Sequence, residues 1–142
     1  MCSDTVMNLA AKDIKFSYRD SNLSKYIILS AKLKLTRETI KTVSARVAEY
    51  LSWRRNTQDL AGHSAGCIFK NSGSAAAGKL IDLCGLKGRK IGGAIVSNKH
   101  ANFILNRDNA KCGDVLRLIN LIKEEVKTKF KINLGLEVKI WN

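Results

Sequence analysis

The residues best suited to chemistry lie in His63-Ser64-Ala65-Gly66-Cys67-Ile68-Phe69-Lys70-Asn71, a small polar turn around one thiol, followed by the small-residue run Ser72 to Gly78. Glycine has no Cβ and tolerates backbone angles that other residues avoid, so small residues on both sides of a sulfur let a ligand or a second backbone approach it. A cysteine there is either an inert, buried small hydrophobe or a reactive thiol that can donate a proton. Two charged residues elsewhere are unremarkable by themselves. Arg19, in Tyr18-Arg19-Asp20-Ser21, carries a permanently charged planar fork suited to a carboxylate. Glu137, between Leu136 and Val138, reads by itself as the polar face of a strand. Lys70 and Asn71 follow the thiol at offsets that could aim them at the same ligand, Lys70 at a diphosphate or merely at solvent.

Metal chemistry has little to build on. The four cysteines, at 2, 67, 84 and 112, form no Cys-x-x-Cys pair and there are two histidines, so the expectation is reduced thiols and no metal. Gly92-Gly93 and Gly73 to Gly78 suggest phosphate cradles only weakly, because neither Gly-x-Gly-x-x-Gly nor the P-loop pattern is present. Lys79, His100 and Asn102 are weaker candidate contacts.

The elements that must position these groups follow from periodicity. Ile14 to Arg19 alternates apolar and polar, and Tyr26 to Leu35 reads as a strand after a loop that holds Arg19. Thr36 as N-cap, with Ile40, Val43, Val47 and Leu51 three or four apart, predicts an amphipathic helix over Arg37 to Trp53. The polar run Arg54 to Asp59 breaks that period and predicts a boundary near Gln58, giving domains 1–58 and 59–142. In the second domain Ala75 to Cys84 reads as a helix ended by Gly85, and Ile91 to Val96 and Ala101 to Asn106 as strands. Gly113 to Phe130 reads as a helix with Val115, Ile119, Ile122 and Val126 on one face, and Leu134 to Trp141 as a closing strand. The fold class is α+β.

At 142 residues, 45% hydrophobic and 26% charged, the chain can bury a core without staples. Its net charge of +13 attracts polyanions, yet the basic residues are spread along the chain and aromatic residues are only 6%, which leaves few stacking platforms for nucleic acid. No apolar run approaches the ~20 residues of a membrane span and Met1-Cys2-Ser3-Asp4 lacks a basic-then-apolar signal, so a cytoplasmic protein without membrane association is expected. Proline is absent where about seven would be usual, so turns must come from Gly, Asn, Asp and Ser.

Ser64-Ala65-Gly66-Cys67-Ile68-Phe69-Lys70-Asn71 resembles the active-site segment of the UDP-N-acetylenolpyruvoylglucosamine reductase (UDP-N-acetylmuramate dehydrogenase) family. The resemblance continues through Ala77-Gly78-Lys79-Leu80-Ile81-Asp82, Leu86-Lys87-Gly88, Ile91-Gly92-Gly93-Ala94, Asp108-Asn109-Ala110-Lys111 and Glu137-Val138-Lys139-Ile140, and upstream takes in Phe16 to Ser21. The family often has proline where this chain has Asp59, His63 and Ser72, which puts loop stiffness in question.

The resemblance implies a C-terminal substrate-binding domain at 59–142, preceded at 1–58 by the strand-helix tail of a flavin-binding domain. It implies an NADPH-dependent FAD enzyme of peptidoglycan precursor synthesis that reduces UDP-N-acetylglucosamine enolpyruvate. Arg19, Cys67 and Glu137 would be catalytic, with Cys67 as proton donor, and Asn71 and Lys70 would bind substrate. The family's glycine-rich flavin-binding segments are not in this sequence, so the partner expected is a flavin-binding half and the chain alone is expected to be inactive. Two other readings stay open: a non-catalytic remnant of the family, and a basic nucleic-acid-binding α+β domain.

Overall fold

The computed structural model describes residues 5–73 and 75–141; Met1 to Asp4 (with Cys2), Ser74 and Asn142 lie outside the described residues. The chain divides into two compact units, Met1–Glu38 and Thr39–Asn142.

Among the described residues, the first unit has one 3-10 turn, Ala11–Asp13, and a short hairpin of β1 (Phe16–Ser17) and β2 (Asp20–Ser21). Asn22 closes the base of the hairpin: its Oδ1 accepts from the Lys15 N–H at 3.1 Å and its Nδ2 donates to the Asp13 carbonyl at 3.0 Å. The strand expected over Tyr26 to Leu35 is not formed. Its alternation is real, but a strand needs a neighbour for its N–H and C=O groups, and here Ile27 and Leu35 stand 87% and 82% exposed.

The second unit opens with α1 (Ile40–Thr57). The helix begins three residues later than expected, because Thr39 and not Thr36 is the N-cap. Its Oγ1 accepts from the Thr42 N–H at 3.2 Å, satisfying one of the amides that a helix start leaves open. The C-terminal end runs on to Thr57, where Thr57 Oγ1 donates to the Trp53 carbonyl at 2.9 Å. Not one residue of α1 is buried.

The rest of this unit is a four-stranded antiparallel sheet with two helices. Strands β3 (His63–Cys67), β4 (Lys90–Ile91), β5 (Ala94–Val96) and β6 (Phe103–Asn106) lie in the order β3-β6-β5-β4. The expected single strand Ile91 to Val96 is therefore a tight hairpin turning at Gly92-Gly93, and the close packing there explains it. Gly92 has φ +54, and a Cβ on it would fall on the Asp114 carboxylate, while one on Gly93 would fall on the Asp108 carbonyl. Two glycines let the turn lie directly on the chain entering the next helix.

Helix α2 (Ala77–Leu83) ends as expected at Gly85, which takes φ +71 after the C-cap Cys84. Helix α3 (Cys112–Phe130) buries Leu118, Ile119, Ile122 and Val126, with Val115 half-buried beside them. These meet Ala77 and Ile81 of α2, Ala94 and Val96 of β5, and Ile68 and Phe69 just after β3 in one core. Beyond α3 the expected strand Leu134 to Trp141 reduces to one antiparallel bridge, Leu136 with Phe69, because the edge it meets is only a few residues long. The architecture is α+β.

Candidate active site

Strand β3 carries the thiol on an irregular edge. His63 and Ser64 pair with Asn106 and Leu105, the register then slips, and Cys67 pairs with Phe103. Gly66 makes the slip at φ +78, with its N–H directed to Ser64 Oγ at 3.3 Å. A side chain at position 66 would be strained there. Cys67 is half-buried and not disulfide-bonded.

Immediately after it the chain is held from both sides. The Ile68 N–H donates to the Asn102 carbonyl at 2.9 Å, and the Ile68 carbonyl accepts from the Glu137 N–H at 2.8 Å. Lys70 N–H donates to the Gly135 carbonyl at 2.8 Å. Glu137 is thus brought across from the residue next to the thiol, although the two are far apart in sequence. Its side chain is half-buried, with Oε2 shielded from solvent.

Lys70 and Asn71 are exposed. Asn71 Oδ1 accepts from the Ala77 N–H at 3.0 Å, so the residue expected to contact a ligand also caps the start of α2. Between them Ser72 and Ala75 exchange backbone hydrogen bonds of 3.1 and 2.9 Å around Gly73 at φ +55. A proline at 72 could not donate the first of these. Likewise Asp59 accepts a short hydrogen bond from the Ser97 hydroxyl, and His63 is a paired strand residue. Hydrogen bonds thus stiffen the segments where proline is missing.

Arg19 lies in the first unit. It occupies the β1–β2 turn at φ +57, a left-handed conformation uncommon for a residue with a side chain, and its guanidinium lies 5.9 Å from the Tyr18 ring centre.

His100 and Asn102 border the thiol strand. Burial, aided by the Lys87 charge, pushes the His100 imidazole below its usual pKa; its Nδ1 accepts from the Asn102 N–H at 3.3 Å and its ring packs on Phe103. Lys79 is exposed on α2. Asn102 is 3% exposed and grips the backbone of Phe69, a role that its sequence neighbours Ala101 and Phe103 do not signal.

A glycine turn at a helix N-terminus is one common cradle for the diphosphate of a cofactor such as FAD. In the second unit each α-helix N-terminus already holds a side-chain oxygen: Thr39 at α1, Asn71 at α2, and at α3 the Asp114 carboxylate, which accepts from the Lys111 N–H at 3.0 Å. Gly92-Gly93 is filled by α3's approach segment. These three helix starts and this glycine turn therefore leave no open cradle of that kind for a flavin diphosphate. Nor do the described residues gather three His, Cys, Asp or Glu side chains as metal ligands, and no helix among them is long and apolar enough to cross a membrane.

This arrangement is an α+β domain with a half-buried thiol and a sheltered carboxylate on adjoining backbone segments. Its sequence matches a family profile described as "UDP-N-acetylenolpyruvoylglucosamine reductase, C-terminal domain" over residues 57–141. It is 43% identical to the UDP-N-acetylenolpyruvoylglucosamine reductase of Chloroherpeton thalassium, over 96% of this chain and 47% of that protein. The Clostridium tetani protein of the same name is 39% identical, over 97% of this chain and 46% of that one. The crystal structure of the Thermus caldophilus reductase superposes with a TM-score of 0.74 at 36% identity, covering 92% of this chain and 47% of that one. The chain belongs to the UDP-N-acetylenolpyruvoylglucosamine reductase family and spans about half the length of the relatives it matches.

Proposed function

We propose that this chain is the substrate-side part of an NADPH-dependent flavoenzyme that reduces UDP-N-acetylglucosamine enolpyruvate to UDP-N-acetylmuramate, a cytoplasmic step of peptidoglycan precursor synthesis. The observation that supports it best is the pairing that brings the segment of Glu137 against the residue next to Cys67. In this reading residues 1–58 are the tail of a flavin-binding domain and 59–142 the substrate domain. FAD and NADPH belong to the half of the relatives that this chain does not span, and that half is the partner. The exposed Val43, Val47 and Leu51 of α1 belong to the surface it covers.

The part played by this chain's own residues is proton delivery and charge stabilisation. Reduction of the enolpyruvyl double bond places a hydride on one carbon and leaves negative charge on the other, delocalised into the adjoining carboxylate. Cys67 gives its S–H proton to that carbon: a C–H bond forms, the S–H bond breaks, and the thiolate is reprotonated from solvent. Arg19 pairs with the carboxylate and stabilises the charge that grows on it. Its left-handed conformation is what the two-residue loop between Ser17 and Asp20 requires, and it leaves the side chain exposed. Glu137, sheltered from water, assists the protonation, and Lys70 and Asn71 bind the UDP-sugar.

Cys67→Ala in the chain joined to a flavin-binding half separates the steps. Flavin reduction by NADPH is expected to proceed at the unaltered rate while substrate turnover falls by on the order of 10²-fold or more. Full turnover would remove the proton-donor role. Arg19→Ala and Glu137→Gln are expected to slow the substrate half-reaction alone.

A further inference from the structure

The buried carboxamide of Asn102 holds the backbone of a residue two positions after the thiol. Its Oδ1 accepts from the Phe69 N–H at 2.9 Å and its Nδ2 donates to the Phe69 carbonyl at 2.8 Å, so one side chain takes both backbone groups of one residue. Its own carbonyl accepts from the Ile68 N–H at 2.9 Å. The β3–β6 ladder ends at Cys67 and Phe103, where β6 begins and the chain before it turns through His100. Without the amide, the Phe69 N–H and carbonyl would be buried on that side with no strand to meet them, a costly arrangement. Asn102 therefore adds one further rung to the sheet by side chain alone. Directly across, Phe69 bridges Leu136, flanked by the bonds from Lys70 to Gly135 and from Glu137 to Ile68.

We infer that Asn102 is a positioning residue: by clamping Phe69 it fixes the register in which Cys67 stands beside the segment of Glu137. The inference rests on the reading of Cys67 as proton donor, because only then does the register set by the clamp bear on the reaction as well as on the fold. Loss of the clamp lets the Cys67 to Lys70 segment shift against its neighbours, which changes the setting of the thiol. A 1 Å misplacement of a reacting group is enough to cost on the order of 10²-fold in rate.

Two measurements on this chain test it. In the unaltered protein the Phe69 amide should exchange with deuterium as slowly as that of Leu105 in the centre of the sheet; exchange at the rate of an exposed turn would overturn the clamp. In Asn102→Ala, the pH profile of Cys67 alkylation by iodoacetamide, followed by peptide mass, should move its midpoint by about one unit, a roughly ten-fold change in thiolate fraction at a fixed pH below it. The exposed Cys112 is the internal reference, and Ile122→Val in α3 is the stability control; neither should move. A Cys67 profile that superimposes on that of the unaltered chain makes Asn102 an ordinary core residue. Should Cys67→Ala keep full turnover when joined to a flavin half, the proton-donor reading falls, whereas an unmoved alkylation profile removes only Asn102.

Discussion

Helices α1 and α3 are almost equal in length, 18 and 19 residues, and both repeat apolar side chains at helical spacing. They meet opposite fates. In α3, Leu118, Ile119, Ile122 and Val126 are sealed against the sheet and α2, whereas α1 buries nothing and leaves Ile40 and Leu51 86% and 45% exposed. An amphipathic pattern states which face wants cover, not whether cover is present. The contrast separates the part of the chain that forms its own core from a part whose apolar face is formed but bare. Isolated helices of this length are marginal in water, so α1 rests on its caps while α3 rests on packing.

The largest effect should come from truncating the covered helix. Leu118→Ala is expected to lower unfolding free energy by about 2–5 kcal/mol, whereas Leu51→Ala in α1 should stay within about 0.5 kcal/mol, as exposed substitutions do. Urea unfolding followed by the signal of the sheet-and-helix core measures both. Equal losses would mean that α1 is packed in solution and the contrast false.

Next in size is the glycine that lets α3 lie on the β4–β5 hairpin. Gly93→Ala should cost about 1–3 kcal/mol, because its methyl group meets the backbone of Asp108 and Ala110 and no flexible side chain can yield. Gly113→Ala, at a position in α3 with open space around the added Cβ, should instead be neutral or stabilise by up to ~1 kcal/mol through helix propensity. Thermal melts of the two variants should shift in opposite directions or by clearly different amounts.

The smallest effect is electrostatic. Backbone N–H donation from Lys111, the Arg117 guanidinium and the Gly93 N–H hold the Asp114 carboxyl below its ordinary pKa. A group whose native pKa is depressed contributes stability that is fully present above its unfolded pKa and is lost as pH falls through the native value. Asp114→Asn should therefore lower stability near neutrality and flatten the acid limb of the stability profile. An unchanged acid limb would show that these bonds do not favour the charged carboxylate.

How much of this was legible in the sequence follows from which interactions are local. Helix α3 and the end of α2 at Gly85 could be read because spacing and a left-handed glycine are properties of a few consecutive residues. The hairpin inside Ile91 to Val96 could not, since its turn is fixed by Asp108 to Asp114 far along the chain. The expected strands at Tyr26 to Leu35 and Leu134 to Trp141 had the right alternation, but a strand is completed by a neighbour that alternation does not name. At the site, Cys67 was visible as a thiol among small residues, and Glu137 was singled out by resemblance. The backbone pairing of Glu137 with Ile68 and the grip of Asn102 on Phe69 are long-range pairings without a local signal.

The central claim is that Cys67 and Glu137 face one ligand, and substrate titration tests it most directly. With a flavin-binding half from a relative supplied, addition of UDP-N-acetylglucosamine enolpyruvate should shift the backbone amide resonances of Cys67, Lys70, Asn71 and Glu137 together, with one common dissociation constant. Saturation with those four unmoved, and shifts confined to the solvent face of α3 around Lys123 and Lys127, would contradict it.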